Sequence, residues 1–131
     1  MAGQLTIDTL KASSGVLATQ NGMTGIAKAW VNYQGGNGNT SGTINGSFNV
    51  SSVTANGTGD WTINYTTAMP NANYVVVGTA LESTADGNLT SNRSVNPRRT
   101  ALLTTSTRIG CVYYDGTAVT VNSMLIAVFC S

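Results

Sequence analysis

Residues 57–80, GTGDWTINYTTAMPNANYVVVGTA, restrict what this chain can fold into more than any other stretch. Trp61, Ile63 and Tyr65 alternate with Asp60, Thr62 and Asn64. That period of two sends successive side chains to opposite sides and predicts a strand with one buried face. Residues 66–73 break the pattern, and Pro70 has no N–H to give to a ladder. Residues 74–77, YVVV, resume as an aromatic and β-branched run with no polar member, the composition of a strand covered on both faces. Two strands joined by a proline-marked corner predict the nucleus of a β-sandwich.

The remaining segments extend it. Residues 26–33 form a strand candidate in which Trp30 is expected to be buried, followed by a glycine and asparagine loop over 34–41. Residues 43–53 carry a second strand with Ile44, Phe48 and Val50 apolar, and Asn45-Gly46 is the expected break in it. The segment from Phe48 to Tyr65 reads as a hairpin turning through Asn56-Gly57-Thr58-Gly59. Residues 82–99 are long, polar and aperiodic, and loops beyond ~12–15 residues in compact domains are usually functional or disordered. Strands follow at 100–104 and 108–114, then a two-residue type I′ turn at Asp115-Gly116 into 118–121, and a final strand over 124–130. Residues 1–25, interrupted by Gly3, Gly15 and Gly22, read as an arm. Every signal is strand or turn. The expected fold is all-β, a β-sandwich or jelly-roll-like domain over 26–131 with an extended N-terminal arm over 1–25.

Composition narrows the function. A chain of 131 residues is one domain by default. Only 8% of residues are charged, against a usual share of ~25%. A net charge of +1 sets up no field for nucleic acid or an acidic membrane, so neither is an expected partner. No run approaches the ~20 apolar residues that span a bilayer, and MAGQLTIDTLK lacks the pattern of a signal peptide. With no histidine, two cysteines outside any metal-ligand spacing and carboxylates at only Asp8, Asp60, Glu82, Asp86 and Asp115, neither catalysis nor a metal or cofactor is expected. Cys111 and Cys130 are expected to be buried free thiols.

The apolar residues are in surplus. Residues 74–77 and 124–129 are apolar on both phases, whereas a two-layer sandwich buries only one face of each sheet. The second face needs a partner, which predicts self-assembly.

The order WTINY, TTAMPNANY and an apolar strand, with AKAWVNY and SFNV upstream and MLIAVF at the close, resembles the C-terminal β-domains of bacteriophage tail-fibre and related virion structural proteins. The likeness covers most of the chain in order, but it consists of fold-building residues. It implies a homotrimer on a virion, made in a bacterial cytoplasm, that contacts the host surface or its polysaccharide and joins other virion proteins through residues 1–25. Unlike long fibres, only about twenty-five residues precede the β-domain here, so a capsid decoration (cement) protein is a second reading. A carbohydrate-binding module or depolymerase is a third.

Five residues are the candidates for receptor contact: Asn88, Arg93, Arg98, Arg99 and Tyr114. With Arg108 nearby in sequence, the arginines suit a basic rim for carboxylates or phosphates of a glycan. The simpler account is that Arg98 and Arg99 keep a sheet edge soluble. Tyr113 and Tyr114 are adjacent and must face opposite ways. Trp61, Tyr65 and Tyr74 are expected in the core.

Overall fold

Alternation decides which way each strand faces. In a computed structural model of the chain, which describes residues 25–35, 42–81 and 93–130, Trp61, Ile63 and Tyr65 point inward from one strand and are all buried. Burying each of these side chains contributes about 2–3 kcal/mol.

Eight strands follow in chain order among the described residues: β1 (Ala29–Gln34), β2 (Thr43–Phe48), β3 (Val50–Gly57), β4 (Asp60–Tyr65), β5 (Val75–Leu81), β6 (Arg93–Leu102), β7 (Ser106–Tyr113) and β8 (Ser123–Phe129). They build two antiparallel four-stranded sheets, sheet A in the order β2-β1-β8-β5 and sheet B in the order β3-β4-β7-β6. The described residues contain no helix. The all-β class and the two-sheet, sandwich-like arrangement are as the alternation predicts.

The two inner faces meet in one core. Sheet A supplies Val31, Tyr33, Met124, Ile126 and Val128; sheet B supplies Val53, Trp61, Ile63, Ile109 and Cys111. Met69 and Tyr74 close one end from the β4–β5 corner, where Tyr74 Oη donates within reach of the carbonyls of Leu103 (2.9 Å) and Ser106 (3.0 Å). The rings of Tyr65 and Tyr74 meet edge to face with centroids 6.1 Å apart. Cys111 and Cys130 are both buried and neither is in a disulfide, as expected.

Four local expectations are corrected. The chain breaks at Asn49, where β2 ends, while at Asn45-Gly46 the strand runs on with only a register shift that skips Asn45 in its pairing with β1. Asn49 takes φ 54°, the left-handed region, and its side chain holds the corner together. Its amide donates to the carbonyls of Lys28 (3.1 Å) and Thr67 (3.0 Å), and its Oδ1 accepts from the Thr67 N–H (2.7 Å). Residues 93–99 are not loop but the first part of β6, an edge strand whose outward positions are polar and therefore show no apolar period. Asp115-Gly116 is not a type I′ turn, since only Gly116 has positive φ, and 118–121 contributes an isolated bridge at Ala118 rather than a strand. Trp30 is not buried but 43% exposed, because Ala29, Val31 and Tyr33 are the inward phase of β1.

Candidate functional site

The two sheets turn opposite chemistries outward. On sheet B the outward phase of β3 and β4 carries Ser52, Thr54, Asn56, Thr62 and Asn64, cross-linked side chain to side chain. Asn64 Nδ2 donates to Ser52 Oγ (3.0 Å) and Thr54 Oγ1 (3.2 Å), and Asn56 Nδ2 to Thr62 Oγ1 (2.9 Å).

At one end of this face lies an ionic cluster centred on Asp60. Arg108 grips its carboxylate with both prongs, Nε to Oδ1 at 2.7 Å and Nη2 to Oδ2 at 2.6 Å. Arg98 Nη2 adds a bond to Oδ2 at 3.0 Å, and Asn56 Nδ2 reaches Oδ1 at 3.4 Å. The Arg108 guanidinium holds the Asp60 carboxyl below its ordinary range; burial opposes this, while Asn56 and Arg98 reinforce it. A carboxylate so engaged is a poor proton acceptor. Its chemistry is to fix the charges around it.

The five residues predicted to contact a receptor do not form one site. Asn88 lies outside the described residues. Arg93 is spent within the fold: its Nη1 donates to the Thr120 carbonyl (2.9 Å), its Nη2 to Tyr113 Oη (3.2 Å), and its guanidinium carbon lies 4.9 Å from the Tyr113 ring centroid. Arg98 is committed to Asp60. Arg93 and Arg98 are five positions apart on one strand, roughly 15 Å, so no single rim gathers them. Arg99 is exposed on β6, and Tyr114 is 90% exposed in the turn after β7. Arg98 is half-exposed as well but is held by Asp60, which leaves Arg99 and Tyr114 as the described candidates that are open to solvent and outside the ionic cluster.

Sheet A is the contrary case. Its strand pairing places Trp30 beside Ala127 and Ala127 beside Val77, with Asn32, Leu125 and Thr79 in the next row and Phe129 beside Val75. All of these point away from the core. Val75 is 60% exposed, Val77 48%, Trp30 43%, Leu125 39% and Phe129 36%. None of the side chains that sheet A directs outward is charged. Ala127 and Leu125 floor a shallow open groove of about 480 Å³, with Trp30 on one flank and Val77 and Thr79 on the other. The expectation that β5 is covered on both faces is corrected for the single chain: one face packs inward and the other is open.

No protein-family model, curated protein or solved structure matches the chain. Among the described residues no three of His, Cys, Asp and Glu converge, and no helix is long and apolar enough to cross a membrane. Two features escaped sequence reasoning: Asp60 as the hub of the ionic cluster, and Trp30 as part of the apolar face. Asp60 sits 48 residues from Arg108, so only strand pairing brings them together. Trp30 was findable, because counting in twos from Val31 and Tyr33 already puts it on the other side.

Proposed function

We propose that the chain is a structural subunit of a bacteriophage virion, a tail-fibre or receptor-binding component that works as a homotrimer at the host surface. The observation that carries this is the opposition of the two outer faces. One is uncharged and apolar and suits burial against a neighbour. The other is a cross-linked lattice of hydroxyls and amides that is at ease in water. A subunit of a symmetric assembly needs both. The likeness of the WTINY–TTAMPNANY–YVVV order to tail-fibre domains supplies the virion setting, and those residues build β4, its corner and β5. Residues 1–25 are the proposed link to other virion proteins. Arg99 and Tyr114 are the described residues best placed to touch host polysaccharide.

The test is an antibody raised against the purified chain and applied to particles from its native source, read by electron microscopy. Label at the tail is the expected result. Label confined to the head would replace this reading with that of a capsid decoration protein. Particles without label would overturn both. Whole host cells should also bind the protein, and Tyr114→Ala should weaken that binding severalfold while leaving the oligomer intact.

A further inference from the structure

We infer that the outer face of sheet A is where copies of this chain join, with Trp30 of one copy seated in the Leu125–Ala127 groove of the next. The inference rests on the assembly proposed above and adds the place and the anchor.

Area is the first consideration. At their exposures Trp30, Val75, Val77, Leu81, Leu125 and Phe129 leave on the order of 500 Å² of surface open, near the upper limit for a monomer and most of the ~800 Å² per partner in a stable complex. Charge is the second. A lipid surface selects a cationic rim and a charged partner selects its opposite, yet the outward side chains of sheet A carry no charge. An uncharged apolar face is matched by its own kind, and a net charge of +1 leaves little repulsion between copies.

Shape is the third. The face carries a projecting indole and, beside it, a groove floored by Ala127, which is short enough to leave room for one. The Trp30 ring rests over Gly46 of β2, where an added Cβ would come within 3.4 Å of it, so the indole is backed by the sheet on its own side. A knob and a hole side by side on one face allow each copy to give and to receive. Buried tryptophans are the commonest anchors of such contacts.

The experiment uses the full chain. Trp30 and Trp61 are its only tryptophans, and Trp61 is 1% exposed, so acrylamide quenching reports on Trp30. Light scattering on a sizing column should show an oligomer at micromolar concentration with Trp30 shielded. Val77→Lys should weaken association at least ~30-fold and open Trp30 to quencher with the far-ultraviolet dichroism unchanged. Val75→Lys, at a more exposed position, is the second variant should Val77→Lys fail to fold. An oligomer that survives the lysine substitution overturns the inference but leaves assembly standing through another surface. A wild-type monomer with Trp30 quenched overturns both. A wild-type monomer with Trp30 shielded means that the face is covered within one chain, which also overturns it.

Discussion

At the scale of single residues, buried polar groups set the pH range and the tolerance of the core. The folded pKa of Asp60 lies below the ordinary value of an aspartate. Its pairing therefore adds stability that is fully present above the unfolded value and is lost as pH falls through the lower folded one. Urea midpoints should hold steady from pH 7 down to about pH 4 as far as this group decides them, then drop. Asp60→Asn should cost about 1–2 kcal/mol at pH 7, the low end of the range for a charged hydrogen bond because both arginines are half-exposed and screened. The gap between variant and wild type should close at the acid end; a gap independent of pH would assign the loss to packing instead. Two tyrosines give a contrast within one contact. Tyr65 Oη is buried, and it lies toward Tyr74 and Thr107 without meeting either in hydrogen-bonding geometry. Its ionisation is pushed far up, first by burial and then by Tyr74. Tyr65→Phe should therefore be neutral or mildly stabilising, whereas Tyr74→Phe should lose about 1 kcal/mol with the bonds to Leu103 and Ser106. Equal losses in thermal melts of the two variants would refute the distinction. The Cys111 thiol, pushed by burial up to about 11, should stay unreactive toward Ellman's reagent at pH 8 until the chain is unfolded.

At the scale of elements, the corner at Asn49 decides which sheet each strand joins. β2 belongs to sheet A and β3 to sheet B with only Asn49 between them. Asn49→Ala loses three side-chain hydrogen bonds and leaves a Cβ residue in the left-handed region without local support. The expected cost is about 2–3 kcal/mol, and Asn49→Gly, which keeps the backbone freedom, should cost less. Chemical denaturation of the two variants checks the order, and a glycine variant as unstable as the alanine one would refute the backbone part of the account. This corner also shows where a sequence stops being legible. Strands β4 and β7 were readable because inward apolar residues mostly alternate with outward polar or small ones, β8 because its run is apolar on both phases, and the β3–β4 turn because Gly59 sits at φ 66° with the Cys111 carbonyl close by. The Asn49 corner was not readable, because its stabilising partners, Lys28 and Thr67, come from other segments. β6 looked like loop because an edge strand on a polar face needs few apolar residues, and Pro97 is tolerated there. Trp30 was misplaced because size suggested the core while phase, set by Val31 and Tyr33, said otherwise. The apolar surplus of β5 and β8 was legible, but its location on a single outer face required the pairing of β8 with both β1 and β5.

At the scale of the whole molecule, the sandwich is amphipathic in the way a single sheet is, with an ionic and hydroxylated side and an oily one. Its two surfaces should respond oppositely to salt. Ionic contacts between exposed groups weaken when salt shortens the screening length, which is ~10 Å at 0.1 M and ~3 Å at 1 M. Apolar contacts do not, and they strengthen in sulfate, which is excluded from protein surface. If copies join through sheet A, association measured by analytical ultracentrifugation should be unchanged between 0.05 and 1 M sodium chloride and tighter in ammonium sulfate. It should also loosen on cooling toward 4 °C, because apolar burial loses driving force as temperature falls. Linkage adds a third signature: binding that favours the folded chain raises the thermal midpoint with protein concentration, and in Val77→Lys that dependence should vanish. An association that fades steadily with sodium chloride would instead place the contact among the arginines of sheet B. The Asp60 cluster would then be the interface, and the oily face would still lack its partner.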